Sequence, residues 1–160
     1  MKKLLLTAIL FMSVPLCFAQ QQRNLVSYDD LSYVLTNNIN KADTFFTAKG
    51  YTLAEQNIKK KTRKYVLKMN GGTYANFSLR NDGRRMYVEI ETNEPEQYNL
   101  IYTSIASYVN KEVTTPEVQA FTVKDLGNIY VMVNDTMPYN PLRRTYTIQI
   151  VSDKSITAYN

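Results

Sequence analysis

Residues 74–92, YANFSLRNDGRRMYVEIET, constrain the fold more than any other part of the chain. Apolar and polar residues alternate on both sides of Asp82-Gly83, as they do in two strands that each bury one face. Asp-Gly is favoured in two-residue type I′ turns, where both central residues have positive φ. Closing the hairpin at this dipeptide would put three apolar pairs on one face. These pairs are Leu79 with Met86, Phe77 with Val88, and Ala75 with Ile90.

Periodic patterns on either side extend this hairpin into a domain. Apolar residues at helical spacing predict helices over residues 28–49 and 94–110, with N-caps at Ser27 and Asn93. Alternation predicts further strands over residues 63–70, 118–125, 129–134 and 144–151, and residues 51–58 are predicted to be a connector. The order of helix, three strands, helix, three strands predicts an α+β fold of two repeats, residues 27–92 and 93–151. Its antiparallel sheet would carry both helices on one face.

Residues 1–19 have the pattern of a secretory signal peptide. Lys2 and Lys3 precede an apolar run over residues 4–16, and small residues at Cys17 and Ala19 indicate cleavage after Ala19. Lipidation at Cys17 is the alternative, which we disfavour because the residues before it depart from the lipoprotein pattern. No later run is long enough to form a transmembrane segment. We therefore expect one domain over residues 20–160, in the periplasm, at the cell surface or secreted.

The residue types that are missing from the sequence limit which catalytic and metal sites it can form. The sequence has no His, and its single Cys lies in the leader. Ser-His and Cys-His nucleophile systems and zinc sites built from His or Cys are therefore excluded. We expect no cofactor and no metal. The net charge of +5 falls to about +3 without Lys2 and Lys3, too weak and dispersed to indicate nucleic-acid binding.

The element order, with the turn at Asn81-Asp82-Gly83, resembles tandem α+β folds such as the beta-lactamase inhibitor protein and the TATA-box-binding-like class. The leader ends in Phe18-Ala19-Gln20, which is similar to the leaders of small secreted proteins from Bacteroides-type bacteria whose functions are not known. These resemblances imply an architecture and export. They match no functional motif, so they assign no functional residue.

The sheet face opposite the helices is the first candidate site, because such a face is left to solvent. Alternation places a set of polar and aromatic residues there: Tyr74, Asn76, Arg85, Tyr87, Thr145, Thr147 and Gln149. Tyrosine is enriched at interfaces because it joins a large contact area to one polar group. The alternative is that several of these tyrosines belong to the core or to sheet edges, with their hydroxyls in water.

The second candidate site is the loop over residues 135–143, DTMPYNPLR, whose apolar members are Met137, Tyr139 and Leu142. Long loops with apolar tips are often functional, although these side chains alternatively fold back over the core. Together the two sites predict an exported, non-enzymatic interaction module that binds a protein or a surface polymer. A structural subunit of an envelope complex is a further alternative.

Two charged clusters carry rival interpretations. Glu89 and Glu91 would project from one strand about 7 Å apart, as in a carboxylate-dependent glycan hydrolase. The alternative is a solvated face balanced by Arg85 and Lys68. The basic run over residues 59–64, KKKTRK, indicates either a site for an anionic partner or cations that protect an edge strand from pairing.

Overall fold

A computed structural model of the protein describes residues 24–83, 85–124, 126–135 and 144–152. The predicted signal peptide therefore lies outside the described residues. The helices are α1 (Tyr28–Thr36), α2 (Ile39–Ala48) and α3 (Pro95–Ile105), the last followed by a 3-10 turn over Ala106–Tyr108. The strands are β1 (Thr52–Asn57), β2 (Thr62–Lys68), β3 (Tyr74–Asn81), β4 (Met86–Thr92), β5 (Val118–Val123), β6 (Gly127–Asp135) and β7 (Arg144–Val151). The predicted α+β class is confirmed.

All seven strands form one sheet in the order β1-β2-β3-β4-β7-β6-β5, and every neighbouring pair is antiparallel. The first four strands follow one another as a meander. The chain then passes through α3 to the far edge, and β5, β6 and β7 return toward β4. The two strand groups meet at β4 and β7, where Ile90 pairs with Ile148. The division into two repeats, and the covering of a single face by every helix, remain predictions.

Alternating side chains on the strands build the core. One row of paired residues crosses five strands and is buried throughout: Tyr65, Phe77, Ile90, Ile148 and Val131. Phe46 of α2 packs on this row, with its ring centroid 4.6 Å from Tyr65 and 5.0 Å from Phe77. On α3, Tyr98 stacks on Tyr146 of β7 with centroids 4.2 Å apart. Aromatic contacts thus join α2 and α3 to the sheet.

The predicted single helix over residues 28–49 is wrong, because the chain leaves helical geometry at Asn37 and restarts at Asn38. The side chain of Asn38 accepts hydrogen bonds from the backbone N–H groups of Asn40 and Lys41 and so caps α2. Asparagine is among the strongest N-cap residues, which explains the restart. The predicted cap at Ser27 is confirmed as a reciprocal capping box with Asp30.

The predicted caps and turns nearer the hairpin need two corrections. Glu94, not Asn93, caps α3, because the Asn93 side chain accepts a hydrogen bond from Tyr74 N instead. The hairpin pairs Asn81 with Met86 and closes through a loop over residues 82–85 rather than a two-residue turn. The Asp82 carboxylate accepts the Arg85 N–H at 2.6 Å, and this local bond holds the longer loop.

The longer loop shifts the hairpin register by two residues. Phe77 pairs with Ile90 and Leu79 with Val88, instead of Val88 and Met86. Because side chains alternate with a period of two, the shift keeps every predicted inward residue on the core face. The prediction was therefore right about the face and wrong about the partners.

The two edges of the sheet differ. Strand β1, predicted to be a connector, is the edge strand beside β2, and all six of its residues are exposed. Among the described residues nothing hydrogen-bonds to its outer side. The opposite edge strand, β5, is covered: Ala120 O accepts from Asn110 N at 2.7 Å, and Ala120 N donates to the Thr114 hydroxyl.

Candidate functional site

The candidate site is the outer face of the sheet, which we define by the residues that alternate with the buried rows. Its central row pairs Lys64, Ser78, Glu89, Gln149 and Tyr130 across five strands. None of these side chains is buried, whereas the residues before and after each of them on β3, β4 and β7 are. Within the described chain this face is therefore open.

A shallow groove of about 580 Å³ crosses the outer face. Its lining comes from β1, β2, β3, β4 and β7, so it runs across the strands and not along them. Five strands spaced about 4.8 Å apart give it a length of about 19 Å. The polar side chains that define its chemistry are Glu55, Lys64, Ser78, Arg80, Tyr87, Glu89 and Gln149.

Charge is unevenly placed along this groove. At the β2–β3 side, the exposed Arg80 guanidinium lies 5.8 Å from the centroid of the Tyr87 ring, in cation–π geometry, with Lys64 on the neighbouring strand. At the β4–β7 side, Gln149 Nε2 donates to Glu89 Oε2 at 2.8 Å. In strand order the groove therefore carries the carboxylate of Glu55 on β1, the cations of Lys64 and Arg80 on β2 and β3, and the carboxylate of Glu89 on β4.

A second groove of about 440 Å³ adjoins the first and shares Glu55 and Lys64 with it. Tyr74 and Asn76 of β3 line its far side. The Tyr74 hydroxyl donates to Glu91 Oε1 at 2.9 Å, and partial burial together with that carboxylate raises the pKa of Tyr74. The hydroxyl therefore stays protonated at neutral pH and can donate this hydrogen bond. Asn76 Oδ1 is buried and accepts no hydrogen bond from any described residue.

The structure separates the outer-face residues that the sequence grouped together. Tyr87 and Gln149 line the first groove, Tyr74 lines the second, and Thr147 pairs with Glu91 outside both. Tyr87 pairs with a β3 residue six positions beyond Tyr74, which puts the two tyrosines about 20 Å apart. Arg85 belongs to the loop over residues 82–85 and lines neither groove.

Of the predicted loop site over residues 135–143, the structure describes Asp135 alone. Met137, Tyr139 and Leu142 lie outside the described residues. At the base of the loop, Arg144 Nη2 forms a salt bridge with Asp135 Oδ2 across β6 and β7. This base lies at the end of the sheet opposite Tyr87.

The two carboxylates of the alternative hydrolase site are each engaged on the outer face. Glu89 accepts from Gln149, and Glu91 accepts from Tyr74. Glu89 is exposed, and Glu91 is half-buried. Groups of three or more His, Cys, Asp or Glu side chains arranged to hold a metal are absent from the described part of the chain.

The basic run over residues 59–64 divides between three environments. Arg63 is structural, since its guanidinium donates to Ile39 O and Asn40 Oδ1 at 3.1 Å and lies 3.4 Å from the Asp43 carboxylate. Lys64 lines the groove. Lys59, Lys60 and Lys61 form the exposed turn between β1 and β2.

Sequence reasoning missed several groove residues. Glu55 was missed because β1 has no alternation of buried and exposed residues to mark it as a strand. Arg80 was not singled out, and Lys64 was considered only as part of the basic run over residues 59–64 and not as part of the outer face. Their positions on the outward side of predicted strands were the signal that would have found them.

The fold and site describe an α+β protein with an open, grooved sheet face. Searches of protein-family models, of curated proteins and of solved structures gave no match for this chain. The resemblance to beta-lactamase-inhibitor-protein-like and TATA-box-binding-like folds therefore remains a prediction. In the described residues no helix is both long enough and apolar enough to cross a membrane.

Proposed function

We propose that the protein is an exported, non-enzymatic binding module that holds an extended segment of a protein or surface polymer across its outer sheet face. The observation that carries the proposal is the groove over five strands of an open face. Its length of about 19 Å fits about six residues of extended polypeptide at about 3.3 Å each. Export rests on the leader pattern of residues 1–19.

The side chains of the groove support recognition rather than catalysis. Tyr87 and Arg80 supply a flat aromatic surface and a guanidinium, the residue types that most often dominate binding energy. Lys64 and Glu89 carry opposite charges on neighbouring regions of the same floor. Because Glu55 lies on the other side of Lys64, the cations stand between two carboxylates. This arrangement favours a partner with an acidic group facing the middle of the groove, because electrostatic complementarity gives specificity and orientation.

Asn76 adds a second point of attachment beside the groove. Its buried Oδ1 has no donor among the described residues, and an unpaired buried acceptor costs about 1–3 kcal/mol. If the Asn76 side chain turns outward on binding, a hydrogen bond from a partner N–H or O–H to this oxygen would recover that energy. The combined surface of both grooves would then be occupied.

The experiment that tests this function is site-specific photocrosslinking in cells. A photoreactive residue replaces Tyr87 in one variant and Tyr108 in a control, since Tyr108 is 49% exposed and lines neither groove. We expect a discrete crosslinked partner from position 87 and none from position 108. Arg80→Ala should weaken the crosslink, because it removes the guanidinium beside the ring.

Equal crosslinking from both positions would contradict the proposal, and so would an undiminished crosslink in the Arg80→Ala protein. Arg80 is exposed, so this substitution is expected to leave the urea midpoint unchanged. A changed midpoint would assign the loss of crosslinking to instability instead. Lys124→Ala provides a matched cationic control, because Lys124 is exposed and lies outside both grooves.

A further inference from the structure

The turn between β1 and β2 has a defined backbone conformation. Lys61 N donates to Ile58 O at 3.2 Å, and Lys60 N donates to the Asn57 side chain at 2.9 Å. Lys61 adopts a positive φ of 49°, which is uncommon for a residue other than glycine. Asn81 N donates to Lys61 O at 3.1 Å and so ties the turn to the end of β3. We call residues 58–61 the β1–β2 tip.

The most exposed large apolar side chain of the described residues sits on this tip. Ile58 is 81% exposed, compared with 53% for Val113 and 46% for Val133. A turn held by its own hydrogen bonds does not need an isoleucine at its surface. A single exposed apolar side chain is ordinary on a protein surface, so Ile58 points to a ligand only in combination with the charges beside it.

Three lysines lie next to this side chain along the chain. Lys59, Lys60 and Lys61 follow Ile58 directly and are all exposed. None of them forms a salt bridge with another described residue. The tip therefore combines an exposed apolar group with uncompensated positive charge over four consecutive residues.

We propose that the β1–β2 tip docks the protein on an anionic phospholipid surface, with Ile58 inserted among the acyl chains and the three lysines on the phosphate headgroups. Each part of the tip has its counterpart in such a membrane: the apolar side chain in the hydrocarbon boundary and the ammonium groups in the negative surface potential. A soluble polyanion would match the lysines and leave Ile58 in water. The proposal concerns residues 58–61 and does not depend on occupation of the groove.

The proposal is tested with the purified protein and two kinds of vesicle, phosphatidylcholine alone and phosphatidylcholine containing phosphatidylglycerol. We expect sedimentation with the anionic vesicles only, weakened by added salt. Each Lys→Gln substitution at positions 59, 60 and 61 should weaken binding about fivefold, and all three together about a hundredfold. Ile58→Ser should weaken it about tenfold.

Matched controls lie in the segment that covers β5. Lys111→Gln and Val113→Ser change an exposed lysine and an exposed valine there, and both should bind vesicles as the parent protein does. Insertion is read directly from a fluorophore attached to Ile58→Cys in a Cys17→Ser background, with Val113→Cys as its control. The emission at position 58 should shift to the blue on anionic vesicles.

Three results would overturn the proposal. The first is equal binding to both kinds of vesicle. The second is unchanged binding by Ile58→Ser, which would show attraction to any polyanion and no membrane insertion. The third is an equal loss of binding in the Val113→Ser control. Because all the substituted side chains are exposed, every variant should keep the parent's urea midpoint.

Discussion

The hydrogen bonds of Gln97 give the sharpest prediction about stability. This glutamine of α3 is fully buried, and its side chain binds both backbone groups of Val26. Val26 N donates to Oε1 at 2.8 Å, and Nε2 donates to Val26 O at 2.7 Å. A single side chain thus fastens the segment before α1 to a helix 71 positions later in the chain.

Gln97→Met keeps nearly the same volume and removes both hydrogen bonds. It leaves a buried N–H and a buried C=O without partners, each at a cost of about 1–3 kcal/mol. We expect the free energy of unfolding to fall by about 2–6 kcal/mol. With a urea m-value of about 2 kcal/mol/M, the midpoint should move by about 1–3 M.

The assay is urea unfolding followed by circular dichroism. Gln119→Met is the matched control, since Gln119 is exposed and its side chain accepts a single hydrogen bond from the described residues, from the Tyr102 hydroxyl at 3.1 Å. This control should change stability by less than about 0.5 kcal/mol. If Gln97→Met costs no more than the control, the two hydrogen bonds do not hold the segment and the reasoning is wrong.

The remaining predictions concern the core and one ion pair. Phe46→Ala should lower the free energy of unfolding by about 3–5 kcal/mol, because its ring is fully buried against the sheet; a loss below about 1 kcal/mol would contradict this packing. Tyr51→Phe should leave the urea midpoint unchanged or raise it, since the buried hydroxyl bonds to no described residue, and a clear drop would reveal a hidden partner. Burial acts to raise the pKa of Asp30, but hydrogen bonds from Lys49 and Ser27 outweigh it, so the pKa lies below its ordinary value. This carboxylate therefore stabilises the fold above about pH 4 and loses that effect as the pH falls through its lowered pKa, so Asp30→Asn should flatten the acid side of the stability profile.

Much of the sheet could be predicted because burial imposes a strict alternation on it. The strand expected over residues 144–151 occurs with those limits, and its inward residues Tyr146, Ile148 and Ile150 are buried. Phe77 and Val88 of the hairpin formed by β3 and β4 were also predicted to point inward, and both are buried. The alternation within one strand identifies its buried face, so this prediction needs no knowledge of the partner strand.

Two features were predicted wrongly because local side-chain hydrogen bonds replaced the regular backbone pattern. The hairpin turn depended on whether Asp82 would bond its own loop, and the helix break depended on the capping bonds of Asn38. Both bonds are short-range competitors of the regular pattern. Strand β1 could not be found because an edge strand with two exposed faces has no hydrophobic period.

The candidate site was only partly accessible to sequence reasoning for a different reason. Tyr87 and Gln149 were identified from alternation, but the groove that joins them to Lys64 and Glu55 depends on strand order. That order places β7 between β4 and β6, and it follows from the crossover through α3. Single-strand patterns carry no record of such a crossover.

The unequal edges of the sheet limit how copies of this protein can associate. As far as the described chain extends, only the margin formed by β1 is free to accept another strand, since residues 110 and 114 already occupy the margin of β5. If two copies met through their free margins, neither would have one left for a third. Growth into a continuous ribbon is therefore blocked by the chain itself, and strand addition would stop at a pair.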